Sequence, residues 1–289
     1  IILFSLFVYS PLAHWTWHPG GILFNLGKVL GLGTDGGVLD FAGGTVVHMS
    51  AGWAALAAAI YLKKRKSVME NEVNPPANIP FVLLGTGLLW FGWFGFNGGS
   101  AVGANALAAT ALATTNIAAA AAGLSWVLFD VARGKKLSAL GFCIGAVVGL
   151  VAITPAAGFV TIPVSIFIGT IAGIVSNVAV HWKTKSGRID DTLDVFPCHG
   201  VGGMVGMVMT GIFATKAING AVIDNGLAFG EYKLFLMHLI ALVLVSAFSF
   251  GMSYLLLVVT NAIVPLRVSE EEERVGLDIS QHDEVLMEA

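Results

Sequence analysis

The sequence predicts an all-α protein, a polytopic bundle of membrane-spanning helices, and three observations carry that prediction. Of 289 residues, 56% are hydrophobic and only 11% are charged, whereas a soluble domain carries about a quarter charged residues. Charge is missing altogether from Ala77 to Phe129, Leu137 to Val180, Val195 to Thr215 and Leu234 to Leu266. A helix needs about 20 apolar residues to cross the hydrocarbon core, so each of the first two stretches must hold two spans. The third observation is the placement of the basic residues, which are alternately dense and sparse from one connector to the next.

Eight apolar segments result, at about 1–14 (partial), 40–62, 79–97, 114–132, 137–155, 161–182, 194–214 and 233–265. The first opens on Ile1-Ile2-Leu3-Phe4 without methionine, basic n-region or small-residue cleavage site, so it reads as a helix entered partway rather than a signal peptide. Lys63, Lys64, Arg65 and Lys66 follow the second segment, Arg133, Lys135 and Lys136 the fourth, Lys183, Lys185 and Arg188 the sixth, and Arg267 and Arg274 the eighth. The opposite side has only Lys28, Lys216 and Lys233. The positive-inside rule puts the richer set in the cytoplasm. Residues 1–266 then form the transmembrane domain, and 267–289 a cytoplasmic tail that opens on the acidic run Glu270 to Glu273. The last segment holds 33 uncharged residues, about 50 Å of helix, so it must tilt or project beyond the bilayer. The 36 glycines sit mostly inside spans, where small residues let helices approach closely. Cys143 and Cys198 lie in apolar segments with no metal or disulfide spacing and read as packing residues.

Histidine is costly at membrane depth, which makes His48 and His199 candidates for function. His48 lies eight residues beyond Asp40, about 12 Å along a helix and near mid-bilayer. The opening Leu39-Asp40-Phe41 of the second segment is echoed by Leu193-Asp194-Val195-Phe196 in the seventh. The charge count runs these two segments in opposite directions, the signature of an inverted repeat with a site between its halves. Gly44, Gly52 and Ala55 share a face with His48, and Gly202, Gly203 and Gly206 share one with His199. Such faces could bring the imidazoles together. The residues themselves leave three readings open: helix–helix glue, a functional pair, or bis-histidine haem ligation. Asp40 and Asp194 stand at helix starts, where a carboxylate accepts backbone N–H bonds. His14, His18, His181, His238 and His282 fall at connectors, span ends or the tail. Trp15 and Trp17, and the cluster Trp90, Phe91, Trp93, Phe94 and Phe96, read either as interface belt and packing or as a vestibule whose ring faces attract a small cation.

The run from Asp40 through His48 to Gly52, continuing to Lys63-Lys64-Arg65, resembles the signature of the Amt/Mep/Rh ammonium transporters. So do Trp90 to Ser100, Leu193 to Gly203, and the tail run Glu272 to Asp278, which is closest to the Amt/Mep branch. The resemblance covers the whole chain in order. It implies the ammonium-transporter fold: eleven helices in two inverted five-helix repeats plus a long last helix, assembled as a homotrimer, with the first helices missing from this chain. It implies that His48 and His199 are the paired pore histidines, Phe96 the inner phenylalanine of the gate, and Trp17 and Ser100 the outer ammonium site, with Asp40 supporting it. Trp17 is chosen over Trp15 because it directly precedes a glycine-rich connector, and two helical positions turn by about 200°. The tail reads His282-Asp283-Glu284 where the family usually has glycine after the histidine. The implied activity is plasma-membrane ammonium or ammonia transport. The implied partners are substrate, lipid bilayer and a cytoplasmic PII-type signal protein; no enzyme activity, cofactor or nucleic acid is expected. The alternatives are an ammonium sensor on the same fold and a membrane haem protein.

Overall fold

The computed structural model describes residues 1–70 and 76–284, and these are helical and strand-free. Eight long helices account for the eight apolar segments: α1 (residues 2–17), α2 (Gly44–Leu62), α3 (Ile79–Gly99), α4 (Ala106–Ala132), α5 (Ala139–Ile153), α6 (Ile162–Ser186), α7 (Phe196–Phe213) and α8 (Lys233–Ile263). Two short helices in the tail follow, α9 (Glu270–Val275) and α10 (Leu277–His282). Six of them, α2, α3, α4, α6, α7 and α8, are each long and apolar enough to cross a membrane.

Three of the long helices start at a capping residue that the sequence supplies. Asn78, Asn105 and Ser138 accept hydrogen bonds from Phe81, Ala108 and Gly141 N–H, at the starts of α3, α4 and α5. The cap at Asn105 starts α4 eight residues earlier than the hydrophobic pattern suggests. Thr114 and Thr115 do not interrupt it, because the Thr115 hydroxyl donates to the Ala111 carbonyl at 2.6 Å and the Thr114 hydroxyl to the Ala157 carbonyl at 2.8 Å. Helix α5 stops at Ile153 instead of 155, because Pro155 has no N–H with which to continue it. Beyond it a buried non-helical run, including Ala156, Ala157 and Val160, carries the chain on to α6.

Helices α4, α5 and α6 pack through small residues. A Cβ at Gly149 of α5 or Gly169 of α6 would come within 2.4 or 2.3 Å of the Ala118 carbonyl oxygen of α4. The long α8 is pinned by His238, which is fully buried. Its Nδ1 lies 2.7 Å from the Met207 carbonyl of α7, and Nε2 accepts the Leu39 N–H at 3.1 Å. A carbonyl can only accept, so Nδ1 carries the proton and the ring is a neutral bridge between α8, α7 and the approach to α2. Its place in sequence, near the end of a span, had not suggested a buried bridge.

At the end of the bundle that carries the basic connectors, the loops are tied to the tail. Arg65 donates from Nε and Nη2 to Asp190 at 2.8 and 2.9 Å, and its backbone N–H adds a third bond of 2.9 Å. The Arg65 hydrogen bonds hold the Asp190 carboxyl below the usual carboxylate range. Arg267 reaches the carbonyls of Leu62 and Lys64 and pairs with Glu273, while Lys66 pairs with Glu270. Ser269 and Glu272 form a reciprocal capping box for α9. A cleft of about 910 Å³ opens among these groups. Asp283, standing where the resemblance expects glycine, takes the left-handed conformation with φ 54°, a region that Asp and Asn enter more readily than most residues.

Candidate functional site

Both histidines ride on the same unusual backbone. Gly44–Met49 and Phe196–Val201 are single π-turns that run directly into the α-helical parts of α2 and α7. Such turns concentrate at functional sites because they redirect side chains without ending the helix. Helix α2 starts beside the N-terminal end of α8, where Leu39 meets His238. Helix α7 starts at the opposite end, near the Arg65–Asp190 pair, so the two helices run antiparallel.

They cross at Gly52 and Gly200, where a Cβ on Gly52 would sit 2.1 Å from Gly200 N. That backbone contact brings the imidazoles together, with Nδ1 of His48 3.4 Å from Nδ1 of His199 and ring centroids 5.5 Å apart. Of the small residues read from the sequence, Gly52 and Gly203 lie at this contact, Gly203 facing His48 and Met49. Gly44, Gly202 and Gly206 instead face Pro155, Val151 and Ala152, and Gly200, which makes the crossing, was not among them. His48 is 3% exposed. Trp93 stacks on it at 5.2 Å and 17°, and Phe96 lies 5.9 Å away, tilted by 40°. The aromatic cluster of α3 therefore divides by helical face: Trp93 and Phe96 turn to the histidines, while Phe91 is 74% exposed on the outside.

The aspartates correct the sequence register. Asp40 Oδ1 accepts from Gly43 and Gly44 N–H at 2.8 and 2.6 Å, and Oδ2 accepts from Thr45 N–H and Oγ1 at 2.7 and 2.5 Å. Its counterpart in the other half is not Asp194 but Asp191, whose carboxylate accepts from Val195 and Phe196 N–H at 3.0 and 2.8 Å. Asp191 precedes His199 by eight residues, as Asp40 precedes His48. Asp194 instead turns left-handed, φ 55°, and pairs with Lys183 at 2.6 Å.

Trp17 and Asp40 meet directly, since the indole N–H donates to the Asp40 carbonyl at 2.8 Å while the side chain stays 39% exposed. Trp15 points elsewhere, packing against Phe248 of α8 with ring centroids 4.6 Å apart. Ser100, at the end of α3, donates its hydroxyl to the Phe96 carbonyl at 2.8 Å. Among the described residues it has no hydrogen bond to Trp17 or Asp40. Two residues of this neighbourhood escaped the sequence reading. Trp93 was legible only as one of a cluster, and Thr154, which contacts both His48 and Trp93 through its hydroxyl, carried no signal beyond its place before Pro155.

An antiparallel membrane-helix bundle that holds an imidazole pair between its two inverted halves, with aromatic rings against His48, defines a polytopic membrane protein of transporter architecture. The chain belongs to the Ammonium Transporter Family, whose sequence profile matches residues 1–287. It is 47% identical to Ammonium transporter Amt1 of Archaeoglobus fulgidus over 283 residues, which are 98% of this chain and 68% of that protein. It is 43% identical to the Ammonium transporter of Bacillus subtilis, covering 66% of it. The structure resembles crystalline Saccharomyces cerevisiae Mep2 with TM-score 0.82 and 39% identity, over 93% of this chain and 59% of that one. It also resembles a protein titled Sensor Amt Protein, with TM-score 0.81 and 33% identity, over 66% of that chain. The chain thus spans about two thirds or less of the relatives it matches.

Proposed function

We propose that this chain contributes the conducting pore of an ammonium transporter, with His48 and His199 carrying the step that makes conduction selective. The carrying observation is the 3.4 Å approach of a ring nitrogen of buried His48 and one of half-buried His199 at the Gly52–Gly200 crossing. Ammonium and potassium are alike in charge and size, so attraction alone cannot separate them. A bare cation in an apolar pore costs many kcal/mol. Ammonium escapes that cost by leaving a proton behind and passing as neutral ammonia; potassium has no proton to leave. Neighbouring imidazoles can exchange hydrogen bonds with ammonia and receive the proton. In this reading Phe96 is the inner gate, Trp17 and Ser100 form the outer recruitment site, and Asp40 supports it through the Trp17 contact. Residues 1–266 lie in the bilayer of the cell membrane, with the tail cytoplasmic and the assembly a homotrimer.

The test is ammonium flux and current in lipid vesicles, with potassium as competitor. His48→Gln and His199→Gln are expected to assemble normally while losing flux or admitting potassium. Wild-type flux and selectivity in both well-folded variants would leave the pair as helix glue. A sensor reading draws on the likeness to Sensor Amt Protein, and ammonium binding without any flux would favour it. Haem ligation fits the geometry poorly, because two metal–imidazole bonds of about 2 Å each need more than the 3.4 Å between these nitrogens.

The outer site has its own test. Trp17→Leu is expected to weaken ammonium capture several-fold with stability retained, since that ring is partly exposed at Asp40. Trp15→Leu is expected to lower thermal stability instead, through lost packing on Phe248. Equal effects on apparent ammonium affinity would show that the assignment of the two rings is wrong.

A further inference from the structure

We propose that Thr154 is a positioning residue that fixes the tautomers of the histidine pair and leaves His199 Nε2 as its open proton-accepting atom. The chain of reasoning starts at Pro155, two residues past α5. Proline has no N–H, so the Val151 carbonyl loses its normal partner and takes the Thr154 N–H instead, at 3.2 Å. That leaves the buried Leu150 carbonyl to be satisfied by the Thr154 hydroxyl, which donates to it at 2.7 Å. A threonine hydroxyl has one proton, and it is now committed.

The Thr154 oxygen can therefore only accept from its other two neighbours. One is the Trp93 indole N–H, a donor without an acceptor form, at 3.0 Å. The other is His48 Nε2 at 3.3 Å, which must carry a proton to share that contact. In the neutral ring Nδ1 is then bare. His48 Nδ1 faces His199 Nδ1 at 3.4 Å, so the proton between them belongs to His199. One directed series of hydrogen bonds results, from His199 Nδ1 to His48 Nδ1, then from His48 Nε2 to Thr154 and from Thr154 to Leu150. The remaining ring nitrogen, His199 Nε2, is the acceptor.

The consequence for transport rests on the reading of the pair as a proton relay, but the tautomers do not. A proton given up by substrate enters the pair at His199 Nε2. His48 Nε2 can take one only after the whole series reverses, which the Leu150 carbonyl opposes because it cannot donate.

The experiment is nitrogen-15 NMR of histidine-labelled protein in lipid vesicles near neutral pH, with the two rings assigned by comparing His48→Gln and His199→Gln. Protonated and bare ring nitrogens have well-separated shifts. The expected pattern is protonated Nε2 and bare Nδ1 in His48, with the reverse in His199. Thr154→Ser, which keeps the hydroxyl, should preserve that pattern and hold flux near wild type. Thr154→Val removes the acceptor; it should give His48 a mixture of tautomers and lower flux about tenfold, the equivalent of one lost buried hydrogen bond. A bare Nε2 on wild-type His48 would overturn the proposal, as would unchanged tautomers in folded Thr154→Val. Should Thr154→Val not fold, the wild-type and Thr154→Ser spectra decide alone. The predicted tautomers alongside selective flux in both histidine variants would sink the relay and leave Thr154's role standing.

Discussion

A single methyl group at Gly52 is expected to abolish ammonium flux. In Gly52→Ala the new Cβ would lie 2.1 and 2.3 Å from N and Cα of Gly200 and 3.0 Å from the carbonyl carbon of His199. All three are backbone atoms of α7, so no side-chain rotation relieves the clash and the helices must separate by about 1 Å or more. Overpacking of this kind costs about 3 kcal/mol, the upper end of its usual range. The histidines have no slack to absorb it: their 3.4 Å contact already exceeds the usual range for an N–H bond. Gly200→Ala should be milder, because its closest neighbour, at 2.9 Å, is the Phe196 ring, which can swing. Gly95→Ala, with nothing within 4 Å of the added atom, should behave as wild type. Thermal unfolding and vesicle flux on the three variants test this ordering. Gly52→Ala with wild-type flux would mean that the crossing does not hold the pair in register.

Asp40→Asn is the second change expected to have a large effect, and its effect should be on folding. Both carboxylate oxygens already accept two hydrogen bonds each, from Gly43, Gly44 and Thr45. An amide in that pocket turns one acceptor into a donor and points it at other donors. Each buried group left without a partner costs about 1–3 kcal/mol, so Asp40→Asn should lower stability by about 3 kcal/mol or more. Asp40→Ala should do no better, since it leaves three backbone N–H groups exposed to the same fault. An Asp40 that bound the cation itself would behave otherwise: Asn, nearly the same size, would keep the melting temperature and weaken only ammonium affinity. Thermal unfolding beside a binding titration separates the two, and unchanged stability in Asp40→Asn would overturn the capping role of this carboxylate.

Much of this was legible in the chain because it depends on neighbours in sequence. The lengths of the charge-free stretches set the number of helices, since each helix must cover the same hydrocarbon thickness. Gly52 and Gly203, small residues on the faces of His48 and His199, marked part of the surfaces that touch, because i, i+3 and i+4 positions share a face whatever the partner. The caps at Asn78, Asn105 and Ser138 are likewise local. What the chain could not disclose is which distant groups meet. Thr154 lies 106 residues from His48 and 61 from Trp93, and His238 lies 199 from Leu39; these pairings follow from how helices cross. Asp194 looked like the partner of Asp40 because its flanking residues match, yet the left-handed turn there hands the capping role to Asp191. The π-turns before both helices complete the reason. Each closes a ring one residue longer than an α-turn, which offsets the side chains beyond it by about 100° from the face a regular 3.6-residue helix would give. Only the folded backbone fixes where that offset falls.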